Sequence, residues 1–108
     1  MKEFTTKQYL ALKRLINKNF NGLTIRINKA GNLTINGHNE EFTLRIHSTY
    51  NNYIWERLNL VNNYSHPLNM INRKSGYNMK NYIFNTFDKA LNYFVKYINT
   101  YKKEYLKK

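Results

Sequence analysis

"LTIRINKAGNLTINGHNEEFTLRIH", residues 23–47, decides the fold. Leu23, Ile25 and Ile27 alternate with Thr24, Arg26 and Asn28; Leu33 and Ile35 with Thr34 and Asn36; Phe42, Leu44 and Ile46 with Thr43, Arg45 and His47. Alternation with period two, rich in β-branched residues, predicts three strands that each bury one face. The connectors "KAG" and "GHNE" are short and contain glycine, so consecutive strands pair as an antiparallel meander.

Helical periodicity flanks this meander on both sides. Thr5 and Gln8 have capping-box spacing, and Phe4 and Tyr9 stand at the two positions of a hydrophobic staple. Tyr9, Leu12, Ile16 and Phe20 then share one side of a helical wheel, and "NFNG" at 19–22 is expected to end the helix. Near the C-terminus, Thr86 is the expected N-cap and Asp88 lies in the first turn. Phe87, Ala90, Leu91, Phe94, Val95 and Ile98 form the apolar stripe, extended to Tyr101 and Tyr105, with Lys102, Lys103, Lys107 and Lys108 gathered at the helix end.

The interval 48–83 reads less clearly. "YIWERLNLV" fits a helix through Ile54, Leu58 and Val61, or a strand through Ile54, Leu58 and Leu60. "NNYSHPLNMINRKSG" holds the sole proline and is expected to be an irregular loop, and "MKNYIF" a fourth strand. The expectation is one α+β domain over residues 1–108: a three- to four-stranded antiparallel sheet with both helices packed on one face. The order α-β-β-β-α resembles that of double-stranded-RNA-binding domains. Those domains join the third strand to the last helix by a short loop and open that helix with a Lys-Lys-x-Ala-Lys type cluster. Here residues 48–85 intervene and the helix opens "NTFDKALNYF", so element order alone is shared and membership is not implied.

Charge narrows the class of partner. The chain carries 18 Lys+Arg against 6 Asp+Glu, a formal net charge of +12. An AT-rich genome explains abundant asparagine, lysine and tyrosine, but its codons favour Asp and Glu as well, so it does not explain the shortage of acids. A small domain so far from neutrality points to a polyanionic partner: DNA, RNA or a nucleic-acid-bearing protein complex. On the first helix Lys7, Arg14 and Lys18 fall within about 40° of one another, opposite the apolar side. On the last, Lys89, Lys96 and Lys103, with Lys107, line the side opposite Phe87, Leu91, Phe94 and Ile98. Neither line has the interleaved acids of an ordinary solvated helix.

Two further basic sets compete with these stripes. "INRKSGYNMKNY", residues 71–82, places Arg73, Lys74 and Lys80 around Gly76, with Tyr77 available to pack on a sugar or base. It lacks the spaced glycines of a nucleotide-binding loop. The polar sheet face offers Arg26, Arg45 and His47 as a second choice, with no aromatic interleaved for base stacking.

Catalytic and cofactor chemistry is not expected. The chain has no cysteine, so neither disulfides nor thiolate metal sites can form. His38, His47 and His66 have no metal-ligand spacing, and six scattered carboxylates offer no acid/base pair. No apolar run reaches the roughly 20 residues of a membrane span, and Lys13, Arg14 and Lys18 interrupt the segment where a signal peptide would be apolar. A cytoplasmic, non-enzymatic accessory protein of a phage, plasmid or other mobile element is the expected class. The alternative is an inhibitor of a host defence nuclease, anti-CRISPR or anti-restriction, that binds the effector or its guide RNA. Tyr93, Tyr97, Tyr101 and Tyr105 offer a third possibility, a homodimer or other structural role, but helix packing within the monomer is their expected use.

Overall fold

A computed structural model describes residues 3–47, 51–59, 64–67 and 83–107. Helix α1 spans Thr6–Asn19 and α2 spans Phe87–Tyr101; between them run β1 (Thr24–Ile27), β2 (Leu33–Asn36), β3 (Glu40–Ile46), β4 (Tyr53–Asn59), β5 (Tyr64–Pro67) and β6 (Ile83–Phe84). Among the described residues these six strands form one antiparallel sheet in the order β1-β2-β3-β4-β5, with β6 pairing the start of β4. The fold is α+β with both helices on one sheet face, carrying more strands than sequence periodicity predicts.

The meander forms as its turns dictate. Asn28 Oδ1 accepts from the Ala30 and Asn32 amides, both at 3.0 Å, and Gly31 adopts φ +84°, a left-handed conformation that only glycine enters without strain. The resulting register sets Ile25 against Ile35, Leu33 against Leu44 and Leu44 against Trp55. Leu33, Ile35, Phe42, Leu44 and Trp55 are all fully buried beneath the helices. Burial fades along the edge strand β1, where Ile25 is half-buried and Ile27 is 52% exposed, contrary to the uniform buried face expected there.

The ambiguous segment "YIWERLNLV" is a strand, and its register inverts the expected one. Pairing of Leu44 with Trp55 points Tyr53, Trp55 and Arg57 toward the helices and Ile54 to the opposite face. Trp55 is too large and apolar to leave on an open face, and its indole N–H finds the Ala90 carbonyl of α2 at 2.7 Å. Tyr64–Pro67, expected within an irregular loop, is strand β5, at the sheet edge among the described residues. Proline is tolerated there because an edge position does not require its missing N–H.

Phe94 of α2 joins the layers. Its ring stacks on Trp55 at 4.7 Å and meets Phe42 and Phe20 edge-on at 5.3 and 6.2 Å, so one side chain touches β4, β3 and the end of α1. The capping box predicted from Thr5 and Gln8 is formed, with bonds of 2.9 and 3.1 Å, and Thr86 caps α2 through the Lys89 amide. Phe4 packs its ring near Tyr53 and Phe87, tying the start of α1 to the start of α2.

The first helix ends within the expected "NFNG", and the second ends earlier than expected. α1 stops at Asn19 because Phe20 turns to extended backbone, and the left-handed residue is Gly22, at φ +81° in the turn that follows. α2 stops at Tyr101, and Lys103–Tyr105 form a 3-10 turn, so Lys103 and Lys107 are not part of the helix. Phe94→Ala should cost about 3–5 kcal/mol, whereas Ile27→Thr should change stability by no more than about 0.5 kcal/mol. Urea unfolding midpoints check both, and comparable losses at the two positions would contradict the packing described.

Candidate nucleic-acid interface

The sheet consumes the carboxylates. Glu41 on β3 meets Arg26 on β1 at 3.1 Å, and Glu56 on β4 meets Arg45 on β3 at 2.6 Å. Arg26 also donates to Asn36 Oδ1 at 3.0 Å. Both second-choice arginines therefore have an anion beside them, an arrangement that spacing along single strands hides because the partners come from neighbouring strands. His47 is half-buried at the end of this ladder, its amide bonded to the Asn52 carbonyl at 2.6 Å. The same face is not uniformly solvated: Thr34 and Ile54 are 0% and 2% exposed, and Thr34 Oγ1 has no hydrogen-bond partner among the described residues.

The third sheet carboxylate is deeper. Glu40, 3% exposed at the start of β3, accepts from Arg57 at 2.8 Å, Lys102 at 3.0 Å and the Tyr105 hydroxyl at 2.6 Å. The Tyr105 oxygen in turn accepts from the His38 amide at 2.9 Å. Burial alone would push the Glu40 carboxyl up; the bonds from Tyr105, Arg57 and Lys102, with the Lys102 charge, hold it below the ordinary glutamate value. Burial and the bond to Glu40 push the Tyr105 hydroxyl well above the usual tyrosine range, so it remains a donor. Gly37 makes room for this ring: a Cβ there would lie 2.8 Å from Tyr105 Cζ and closer still to the hydroxyl.

This cluster corrects one sequence-based expectation. Lys102 does not stand with the lysines at a helix end; it is the residue on which α2 stops, and its ammonium turns inward to Glu40. Tyr93, Tyr97 and Tyr105, at 8%, 3% and 3% exposed, pack within the monomer as expected, leaving Tyr101 at 45%.

On the helices the exposed cations stand alone among the described residues. Lys7, Arg14 and Lys18 of α1, Lys89 and Lys96 of α2, and Lys103 and Lys107 beyond it are exposed, and none forms an ion pair among the described residues. Exposed Lys13 adds to the α1 surface; sequence reasoning passed it over because it lies off the line of Lys7, Arg14 and Lys18. α1 contains no acid, and α2 contains only Asp88, in its first turn. Since both helices pack on one sheet face, the exposed cations of α1 and α2 lie on the layer that covers that face. Arg73, Lys74, Tyr77 and Lys80 lie outside the described residues.

Among the described residues, no group of three His, Asp or Glu is arranged to hold a metal, and no helix is long and apolar enough to cross a membrane. Neither a protein-family model, nor a curated protein, nor a solved structure matches the chain.

The Glu40 cluster has a testable pH signature. A carboxyl held below its unfolded value stabilises the fold above that value, and the contribution is lost as pH falls through the folded one. Glu40→Gln should cost about 3 kcal/mol at pH 7 by leaving Arg57 and Lys102 without their anion. The gap between wild type and variant should close as pH falls below about 4. A gap that stays constant down to acid pH, followed by urea unfolding, would contradict the assigned ionisation.

Proposed function

We propose that the protein binds nucleic acid without catalysis, receiving phosphates on the outer side of its two helices. The carrying observation is the division of charge: the sheet arginines sit beside Glu40, Glu41 and Glu56, while the exposed cations of α1 and α2 have no anion. A cation already matched by a carboxylate must exchange one partner for another to bind phosphate; an unmatched one needs only to release hydration and counterions. This contrast ranks the helical layer above Arg26, Arg45 and His47. A cytoplasmic setting and an origin in a phage, plasmid or similar element belong to the same proposal.

Salt tests it directly. Binding to duplex or structured nucleic acid should weaken with a log–log slope of magnitude about 3 to 6, near one per phosphate neutralised. Lys7→Gln, Arg14→Gln and Lys18→Gln together should reduce that slope by about 2 to 3 and weaken binding to all sequences alike. Arg26→Gln with Arg45→Gln should leave affinity within about twofold, for a stability cost of about 1 kcal/mol or less per pair. Salt-insensitive binding, or none at low salt, sinks the assignment. Recovery of a stoichiometric complex with a nuclease instead would transfer it to the inhibitor alternative.

A further inference from the structure

Beyond phosphate contacts, we propose that α1 is a reading helix that enters the major groove of duplex DNA, an inference that rests on the nucleic-acid reading above. The two helices are not equivalent carriers of charge. Only Leu12 and Ile16 of α1 are buried, against six residues of α2, so α1 is less deeply embedded in the domain than α2. A helix about 10–12 Å across fills a groove about 12 Å wide, but only if its outer half stands clear of its own protein. α1 meets that condition and, with two buried residues against six, is the less embedded of the two helices.

The arrangement on the exposed arc of α1 supplies the second argument. At about 100° per residue, Leu10 and Asn17 lie within roughly 20° of each other along the middle of this arc. Lys13 flanks them on one side, and Lys7, Arg14 and Lys18 on the other. That is the order a groove requires: central side chains that meet base edges, bordered by cations that meet the two phosphate walls. Leu10 is 41% exposed in the midst of cations, an apolar placement with no use inside the domain. Asn17 is exposed in the last turn of α1, and its side chain makes no hydrogen bond among the described residues.

Their chemistry names the bases. A carboxamide pairs in bidentate fashion with adenine N6 and N7, and an apolar side chain packs on the thymine methyl. Leu10 and Asn17 are two turns apart, about 10.5 Å along the helix axis, close to three base-pair steps of about 3.4 Å. α1 therefore fits a short A·T-containing segment of B-form duplex. The deep, narrow major groove of A-form RNA would not admit it.

Selection from a random duplex DNA library against the full chain, at about 0.15 M salt, tests the inference. An A·T-containing site should emerge and bind at least about tenfold more tightly than its scrambled counterpart. Leu10→Ala and Asn17→Ala, both at exposed positions and checked for fold by circular dichroism, should each erase several-fold of that preference. The salt slope should not move. Salt-dependent binding that is equal on all duplexes, a preference unaffected by either variant, or tighter binding to RNA duplex of the same sequence overturns the reading helix and leaves phosphate binding standing. No salt-dependent binding at all overturns both.

Discussion

The structure depends on what happens to Glu40. A carboxylate at 3% exposure is costly unless it is ionised among donors, and three donors reach it: Arg57 from β4, Lys102 from the end of α2 and Tyr105 from the 3-10 turn. The cluster fixes where α2 stops and seats the C-terminal segment against the turn between β2 and β3. From there the chain closes on α1, as Asn21 donates to the Tyr105 carbonyl at 2.8 Å and Phe20 bridges to Leu106. One buried anion thus links the sheet, the last helix and the exit of the first.

The same economy of acids shapes the surface. With six Asp and Glu in the chain, three are placed in the sheet beside Arg26, Arg45, Arg57 and Lys102. Few remain for the helices, and those few lie at helix starts or in the terminal turn: Glu3, Asp88 and Glu104. Among the described residues, Lys7, Lys13, Arg14 and Lys18 of α1 and Lys89 and Lys96 of α2 stand exposed without an ion pair, and a field of one sign over such a layer attracts a polyanion.

Much of this was legible in the residues. Period-two alternation over 23–47, the Thr5–Gln8 box and the apolar stripe from Phe87 to Ile98 each report a local rule that the fold obeys, and the exposed positions of Lys7, Arg14, Lys18, Lys89 and Lys96 follow from them. What escaped was non-local. The face of β4 is set by Trp55 seeking α2, not by the alternation of Ile54 and Leu58; the short edge strand β5 is defined by its pairing with β4. The Glu40 cluster joins residues 17 to 65 positions apart, and no spacing along the chain announces it. Arg26 and Arg45 looked available for the same reason: their carboxylates sit on other strands.

Amide chemical shifts followed by NMR during titration with a short DNA duplex at low salt would locate the contact surface directly. The account predicts changes concentrated along α1 and the outward side of α2, with Thr24, Asn36 and Thr43 on the far sheet face unmoved. Shifts centred on that sheet face, with the helices silent, would contradict it.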